Sequence, residues 1–314
     1  MPAIMTHFAF AKMRATNSID DDALFLGAQG PDVFFFYGYS LKKRPDIQAV
    51  RGFGTELHHI DITTAYHYLL KYADSKEGRD KEILSSFIRG LFLHYIMDRN
   101  CHPFVFYRTG FSAKPEEGKY YFAAHASYES HIDCLIKERF NIKIAPRKAV
   151  SAGKGKVRLI SAMMHSLARD VFENEVIKAD TYYLSWTDMK FCQIIFHSPL
   201  GIKKAMFRAI APRGAINAMA TPRKVKNNDL LDVLNDHKEE WRDCVTNEPR
   251  NEAFLELIGK ASAEVDTLEK LLKSAYSEAD LRAFIHNTDH DGFTVGEDKK
   301  HFKSVWDLVP DMRW

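Results

Sequence analysis

Apolar residues recur with a helical period along nearly the whole chain, and alternating strand-like stretches are few, so the pattern predicts an all-α, multi-helix bundle-like fold. The clearest segment runs from Glu82 to Met97. There Ile83, Leu84, Phe87, Ile88, Leu91, Phe92, Leu93, Tyr95 and Ile96 cover most of the helix surface, which predicts a helix buried nearly all round. Further helices are expected over Leu159–Ala179, Ser198–Ile210, Leu230–Val245, Asn251–Ser274 and Ser277–His286. Breaks fall at Leu41–Pro45, Ser75–Asp80, Gly110–Gly118 and Ala145–Lys156, and no internal repeat is present.

Polar residues inside the buried pattern carry the chemistry. His94, Asp98 and His102 recur every fourth residue, and residues four apart stack on one helix face, so His94 and Asp98 can converge on one point. A carboxylate removed from water needs a partner, hydrogen bonds or a metal. Pro103 disfavours the helical conformation of His102, so the helix is expected to end there, with the imidazole at its exit. A second segment repeats the spacing with His125, Glu129 and Asp133, backed by Ile132, Leu135 and Ile136. Further candidates are His7, Asp32 in the turn Gly30-Pro31-Asp32, and the run Glu56-Leu57-His58-His59-Ile60-Asp61. Eight of the fourteen histidines precede residue 132, which concentrates ligands in the first half.

A lone histidine on an apolar helix is usually a hydrogen-bonded core residue, and His67 and His131 are read as surface or core residues rather than ligands. Two His-x3-carboxylate pairs with spare histidines nearby favour a metal. Nitrogen and carboxylate donors without clustered cysteines favour zinc over calcium, with iron or manganese as alternatives. Cys101, Cys134, Cys192 and Cys244 lie far apart with no CxxC pattern, as expected of reduced thiols, and Cys101 beside His102 is a minor soft-ligand candidate.

The order and spacing resemble the zinc-dependent phospholipase C family and its relatives, the S1/P1 single-strand nucleases. The resemblance rests on Leu93-His94-Tyr95-Ile96-Met97-Asp98 followed by His102-Pro103, on His125-Ala126-Ser127-Tyr128-Glu129, and on Gly27-Ala28-Gln29-Gly30-Pro31-Asp32, which resembles the aspartate turn of the bacterial intracellular branch. These motifs span about residues 7 to 133. The Trp241 and Pro249 region followed by Glu252-Ala253-Phe254 resembles the later part of such chains and is expected to pack on the metal-bearing half.

The resemblance implies two or three zinc ions that hydrolyse a phosphodiester. It assigns Asp32, His58, His94 and Asp98 to a first ion, and His102, His125 and Glu129 to a second. His7 and a bridging Asp98 would hold a third. His58 is preferred to His59 because His58-x-x-Asp61 resembles the family pattern. Asp32 would also orient or deprotonate the attacking water, with Glu56 as the second choice. Secreted members complete the third site with a processed terminal residue. Here Pro2, after loss of Met1, is the substitute, because the start shows no charged leader followed by a long apolar run and no membrane span is evident. A cytoplasmic location is expected.

Composition bounds the rest. The 314 residues suffice for one large domain or two ordinary ones; the expected division is a metal-bearing helical core over 1–170 and a helical remainder over 171–314 packed on it, or one continuous domain. The expected partner is a phospholipid, with nucleic acid and peripheral membrane contact as alternatives. The aromatic run Val33-Phe34-Phe35-Phe36-Tyr37-Gly38-Tyr39 reads as core or as the wall of a headgroup or nucleobase pocket. The acid-free basic stretches Lys143–Arg158 and Gly201–Lys226 read as solvated loops or anion-facing surface, since the net charge is only +2. The segment Asn287-Thr288-Asp289-His290-Asp291-Gly292, ending near Asp298, matches a calcium loop poorly and is read as a solvated turn. Two other function classes stay open beside the hydrolase and nuclease readings. An HD-type phosphohydrolase would need a helical His-Asp pair, and His290-Asp291 is turn-like; a non-catalytic module would keep metals for stability alone.

Overall fold

Helices supply almost all regular structure, and one of them organises the rest. A computed structural model describes residues 4–16, 20–40, 42–110, 118–211, 215–221, 225 and 232–297. The chain runs through α1 (Ile4–Arg14), α2 (Asp21–Gly27), a 3-10 helix (Gly30–Phe36), α3 (Ile47–His58), α4 (Thr63–Asp74), α5 (Gly78–Thr109) and α6 (Gly118–Arg139). It continues through α7 (Pro146–Ala149), α8 (Lys154–Phe172), α9 (Thr181–Phe196), α10 (Ile202–Ile210) and α11 (Ala215–Met219). A two-residue antiparallel pair, β1 (Trp241–Arg242) and β2 (Pro249–Arg250), precedes α12 (Phe254–Lys273) and α13 (Glu278–Ile285). The fold is all-α, as the periodicity implies.

The central element is α5, 32 residues long, against which α2, α4, α6 and α12 pack. Its apolar residues point in every direction because neighbours surround it: Leu84, Phe87, Phe92, Tyr95, Ile96 and Phe104 are all fully buried. Contrary to the expected stop at His102, α5 continues through Pro103 to Thr109. Phe104, Val105 and Phe106, all buried, provide enough packing after the proline to carry the helix past a residue that removes one hydrogen bond. The carbonyl of Arg99, which Pro103 cannot serve, meets the backbone of Gly292. That glycine has φ +84, and a β-carbon there would approach the Arg99 oxygen to 2.9 Å.

The expected helix over Leu230–Val245 is absent among the described residues from 232 onward. Asp232 accepts the backbone N–H groups of Asp236 (2.9 Å) and His237 (2.7 Å), and Asn235 and Lys238 have positive φ. Such local side-chain to backbone bonds compete with helix formation, and apolar period alone does not reveal them. The Ala145–Lys156 break contains the one-turn α7. Trp241, fully buried, packs on Phe104 of α5 with ring centroids 5.5 Å apart, and Phe254 lies 6.0 Å from Phe104. The main buried cluster runs from Ile4 to Ile285, and a smaller one joins Phe106, Cys244 and Phe293. The calcium-loop candidate Asp298 and the terminal residue Pro2 lie outside the described residues, as do residues 111–117 of the expected Gly110–Gly118 loop and parts of the Leu41–Pro45 and Gly201–Lys226 segments. Among the described residues no helix is long and apolar enough to cross a membrane.

Candidate metal centre

The centre is assembled from α1, the 3-10 helix, α3, α5 and α6. Asp133 of α6 accepts the N–H groups of Met5 (3.0 Å) and Thr6 (2.8 Å), capping the first turn of α1 from outside. This places the buried His7 with Nε2 3.2 Å from Asp98 Oδ1. Gly30 enters the 3-10 helix at φ +56, and any β-carbon there would overlap the His94 ring, so only glycine lets the Pro31-Asp32 turn lie against α5.

Three of the imidazoles, His58, His94 and His102, are oriented by backbone carbonyls. His58 Nδ1 donates to Gly54 O (2.7 Å) and His94 Nδ1 to Ala28 O (3.1 Å). A carbonyl can only accept, so each neutral ring carries its proton on Nδ1 and turns a bare Nε2 inward. His58 Nε2 lies 3.1 Å from Asp32 Oδ1. His94 Nε2 lies 3.0 Å from Asp98 Oδ2 but lacks hydrogen-bond geometry to any described residue. His102 Nδ1 faces the main-chain oxygen of His290 and Asp291 Oδ1, both at 3.1 Å; its Nε2 is 3.7 Å from Glu129 Oε1 and 3.8 Å from Asp98 Oδ1. His125 Nε2 is 3.1 Å from Glu129 Oε1.

These contacts bring the expected ligand residues into three adjoining groups: His7, His94 and Asp98; Asp32, His58 and His94; and His102, His125 and Glu129. His94 belongs to two of them, and Asp98 falls with His7 rather than with Asp32. His58, not His59, turns inward. His59, with 44% of its side chain exposed, instead faces Asp289 and Asp291 at 3.5 Å each, a fourth group that the spacing did not suggest. Glu56 is exposed on α3 and is not gathered into any group. Cys101 is buried and likewise outside them.

Electrostatics decide the charge states. Burial pushes Asp32, Asp98 and Glu129 toward the neutral form, but positive charge overcomes it and holds all three well below the usual carboxylate range: the charge of the amino terminus, then His58 and His94, for Asp32; His94, His102 and His7 for Asp98; His125, the amino terminus and His102 for Glu129. Burial lowers His7, and His94 lowers it further against Asp98. Burial acts the same way on His94 and His102, yet Asp98 and Asp32 raise the first, and Asp98, Asp291 and Glu129 raise the second. Three ionised carboxylates in a dry site need positive charge beside them. Protons on the imidazoles supply it, or a cation does.

The donors fit zinc. They are imidazole nitrogens and carboxylate oxygens without thiolate, and His94 Nε2 is a buried lone-pair atom that no hydrogen bond uses. Access is uneven: His94 is sealed, while His58, His102 and His125 keep 10%, 10% and 11% of their side chains open to solvent.

Sequence reasoning missed the loop after α13. The segment read as a solvated turn is buried, with Asp289, His290 and Asp291 at 1%, 0% and 7% exposure. His290 sits among His58, His94 and Tyr95, and burial, then His58 and His94, keep it far below the usual imidazole range and hence neutral. Its contact with His102 joins positions 188 residues apart, and no spacing rule reaches that far. The family model described as zinc dependent phospholipase C matches residues 1–190. Neither the curated proteins nor the solved structures contain a match.

Proposed function

This chain belongs to the zinc-dependent phospholipase C family and is a zinc-dependent hydrolase, and from that footing we propose that it cleaves the phosphodiester of a phospholipid headgroup by attack of an activated water, releasing the phosphorylated headgroup. The observation that carries the reading is the gathering of imidazoles and ionised carboxylates from five segments into three adjoining groups, two of which share His94. Zinc bound by such donors supplies Lewis acidity for a phosphoryl oxygen and brings the pKa of water toward about 7.

The side chains divide the remaining work. His94, Asp98, His58, Asp32 and His7 on one side, and His102, His125 and Glu129 on the other, hold two or three ions. Asp32 Oδ1, beside His58 Nε2, orients the attacking water. A phosphodiester approaches where His58, His102 and His125 keep 10%, 10% and 11% of their side chains open. Phe35, half-buried with its ring 5.2 Å from His58, walls the Asp32–His58 side of the centre.

A lipid substrate also accounts for α10. Ile202, Met206 and Ile210 stand one turn apart with 69%, 49% and 76% exposure, Leu200 precedes them at 68%, and Lys203, Lys204 and Arg208 interleave. An exposed apolar stripe beside cations suits a phospholipid surface.

The test is hydrolysis by the purified, zinc-analysed protein of phosphatidylcholine and other phospholipids in vesicles, of a chromogenic phosphodiester and of single-stranded DNA. Zinc-dependent release of phosphorylated headgroup is expected. Preferential hydrolysis of DNA makes the chain a nuclease, and a zinc-loaded protein inert toward every substrate makes the metal purely structural.

A further inference from the structure

The loop Asn287–Gly296 follows α13, outside the part of the chain that the family model matches, and it is pinned on both sides of His290. Tyr95 Oη contacts Thr288 Oγ1 at 2.7 Å. The His290 N–H donates to His58 O (3.1 Å), its carbonyl accepts from His102 Nδ1 (3.1 Å), and Asp289 Oδ1 accepts the N–H groups of Asp291 (2.9 Å) and Phe293 (3.0 Å). Gly292 then passes close over the Arg99 carbonyl. This scaffold thrusts one imidazole into the interior, where His290 is 0% exposed and neither ring nitrogen has a hydrogen-bond partner among the described residues. Buried polar atoms are rarely left so, and an unsatisfied one asks for an explanation such as an ion.

Its surroundings supply one. The ring centroids of His58, His94 and His290 form a triangle with sides of 5.9, 5.5 and 4.9 Å. Imidazoles sharing one tetrahedral zinc at bond lengths of about 2.0–2.1 Å have centroids about 5 Å apart; the ligand atoms already within 4.8 Å of one another here are those of Asp32, His58 and His94, and His290 stands beside that group, to be joined to it by rotation of its ring. Asp32 Oδ1 stands 3.1 Å from His58 Nε2. The remaining ring neighbour, Tyr95, presents its ring to His290 nearly perpendicular at 5.1 Å and offers no acceptor for both nitrogens.

We propose that His290 is a metal ligand, joining Asp32, His58 and His94 around one ion. The inference rests on the zinc reading but not on the identity of the substrate. It has a consequence for the division of labour. With His290 the first ion has four protein donors, whereas His102, His125 and Glu129 are three, the number that leaves a position open for the water that Asp32 orients or for substrate. Asp291, through His102 Nδ1, then acts as a positioning residue for that second group, so one loop orders both.

The experiment compares wild-type protein with His290→Gln and His290→Ala, after circular dichroism has checked their folding. Zinc content, the rate of zinc release to a chelator and the visible absorption of the cobalt-substituted protein are recorded, none of which depends on turnover. Both variants are expected to lose one zinc per chain, or to release it at least about tenfold faster, with a changed cobalt spectrum. Unchanged content, release and spectrum in both variants overturn the proposal and leave the zinc reading intact; a wild-type chain that binds no zinc overturns both. If the variants fail to fold, anomalous scattering from zinc-loaded wild-type crystals decides. Zinc within about 2.0–2.1 Å of a His290 ring nitrogen upholds the assignment, and zinc ions elsewhere in the centre with His290 uncoordinated refute it.

Discussion

Asp133 on α6 accepts both the N–H and the hydroxyl of Thr6, at 2.8 and 2.6 Å, and so ties the start of α1 to the helix that carries His125 and Glu129. Replacement by alanine leaves two buried N–H groups without an acceptor. Asp133→Ala is expected to cost about 1–3 kcal/mol and to loosen His7. Denaturant titration measures the first effect and zinc analysis the second; a variant of wild-type stability contradicts the anchoring role.

His94 serves two groups and Glu129 one, so their truncations differ in kind. His94→Ala is expected to deplete zinc more than Glu129→Ala, and both are expected to abolish phosphodiester hydrolysis. Metal analysis of the two proteins side by side checks this, and full zinc retention in both removes the ligand assignment.

Gly30 is constrained twice, by φ +56 and by the His94 ring that a β-carbon would strike. Gly30→Ala is expected to destabilise the fold by more than about 1 kcal/mol and to displace His94, which lowers zinc content as well. Thermal denaturation with and without added zinc separates the two losses.

Asp188 of α9 holds the chain just after the 3-10 helix, accepting the Gly38 N–H and one Arg44 nitrogen at 2.8 Å each. Burial pushes its carboxyl up, but the Arg44 hydrogen bond and the Gly38 N–H outweigh burial and leave it below the usual range. The folded value therefore lies under the unfolded one of about 3.9, so this stabilisation is present above that pH and disappears as pH falls through the folded value. Asp188→Ala is expected to cost about 3–5 kcal/mol at neutral pH. The gap in denaturation midpoint between variant and wild type should narrow below about pH 4; a gap independent of pH argues against the ionised pair.

The stripe on α10 predicts vesicle binding. Ile202→Asp combined with Ile210→Asp is expected to reduce co-sedimentation with anionic phospholipid vesicles at least about tenfold while zinc content stays at the wild-type level. Equal sedimentation of variant and wild type assigns the stripe another role.

Much of this was open to a reader of the sequence, for reasons that can be stated residue by residue. The period of α5 and the four-residue steps from His94 to Asp98 and from His125 to Glu129 are properties of a single helix, so they follow from local geometry and survive without knowledge of neighbours. The same local reasoning failed at Pro103, where burial of Phe104 to Phe106 outweighs one lost hydrogen bond, and at 232–245, where the side chains of Asp232 and Asn235 claim backbone groups that a helix would have used.

The chain on its own determined which atoms are available to a cation and which of them share a helix face. Only the tertiary structure decided which faces meet: that α1 is capped by α6, that Asp98 stands between His7 and His94, that Glu56 looks outward, and that His290 returns to lie against His58 and His94. Contacts between segments this far apart depend on how all the intervening helices pack, and that is a collective outcome of burial rather than a property of any short stretch.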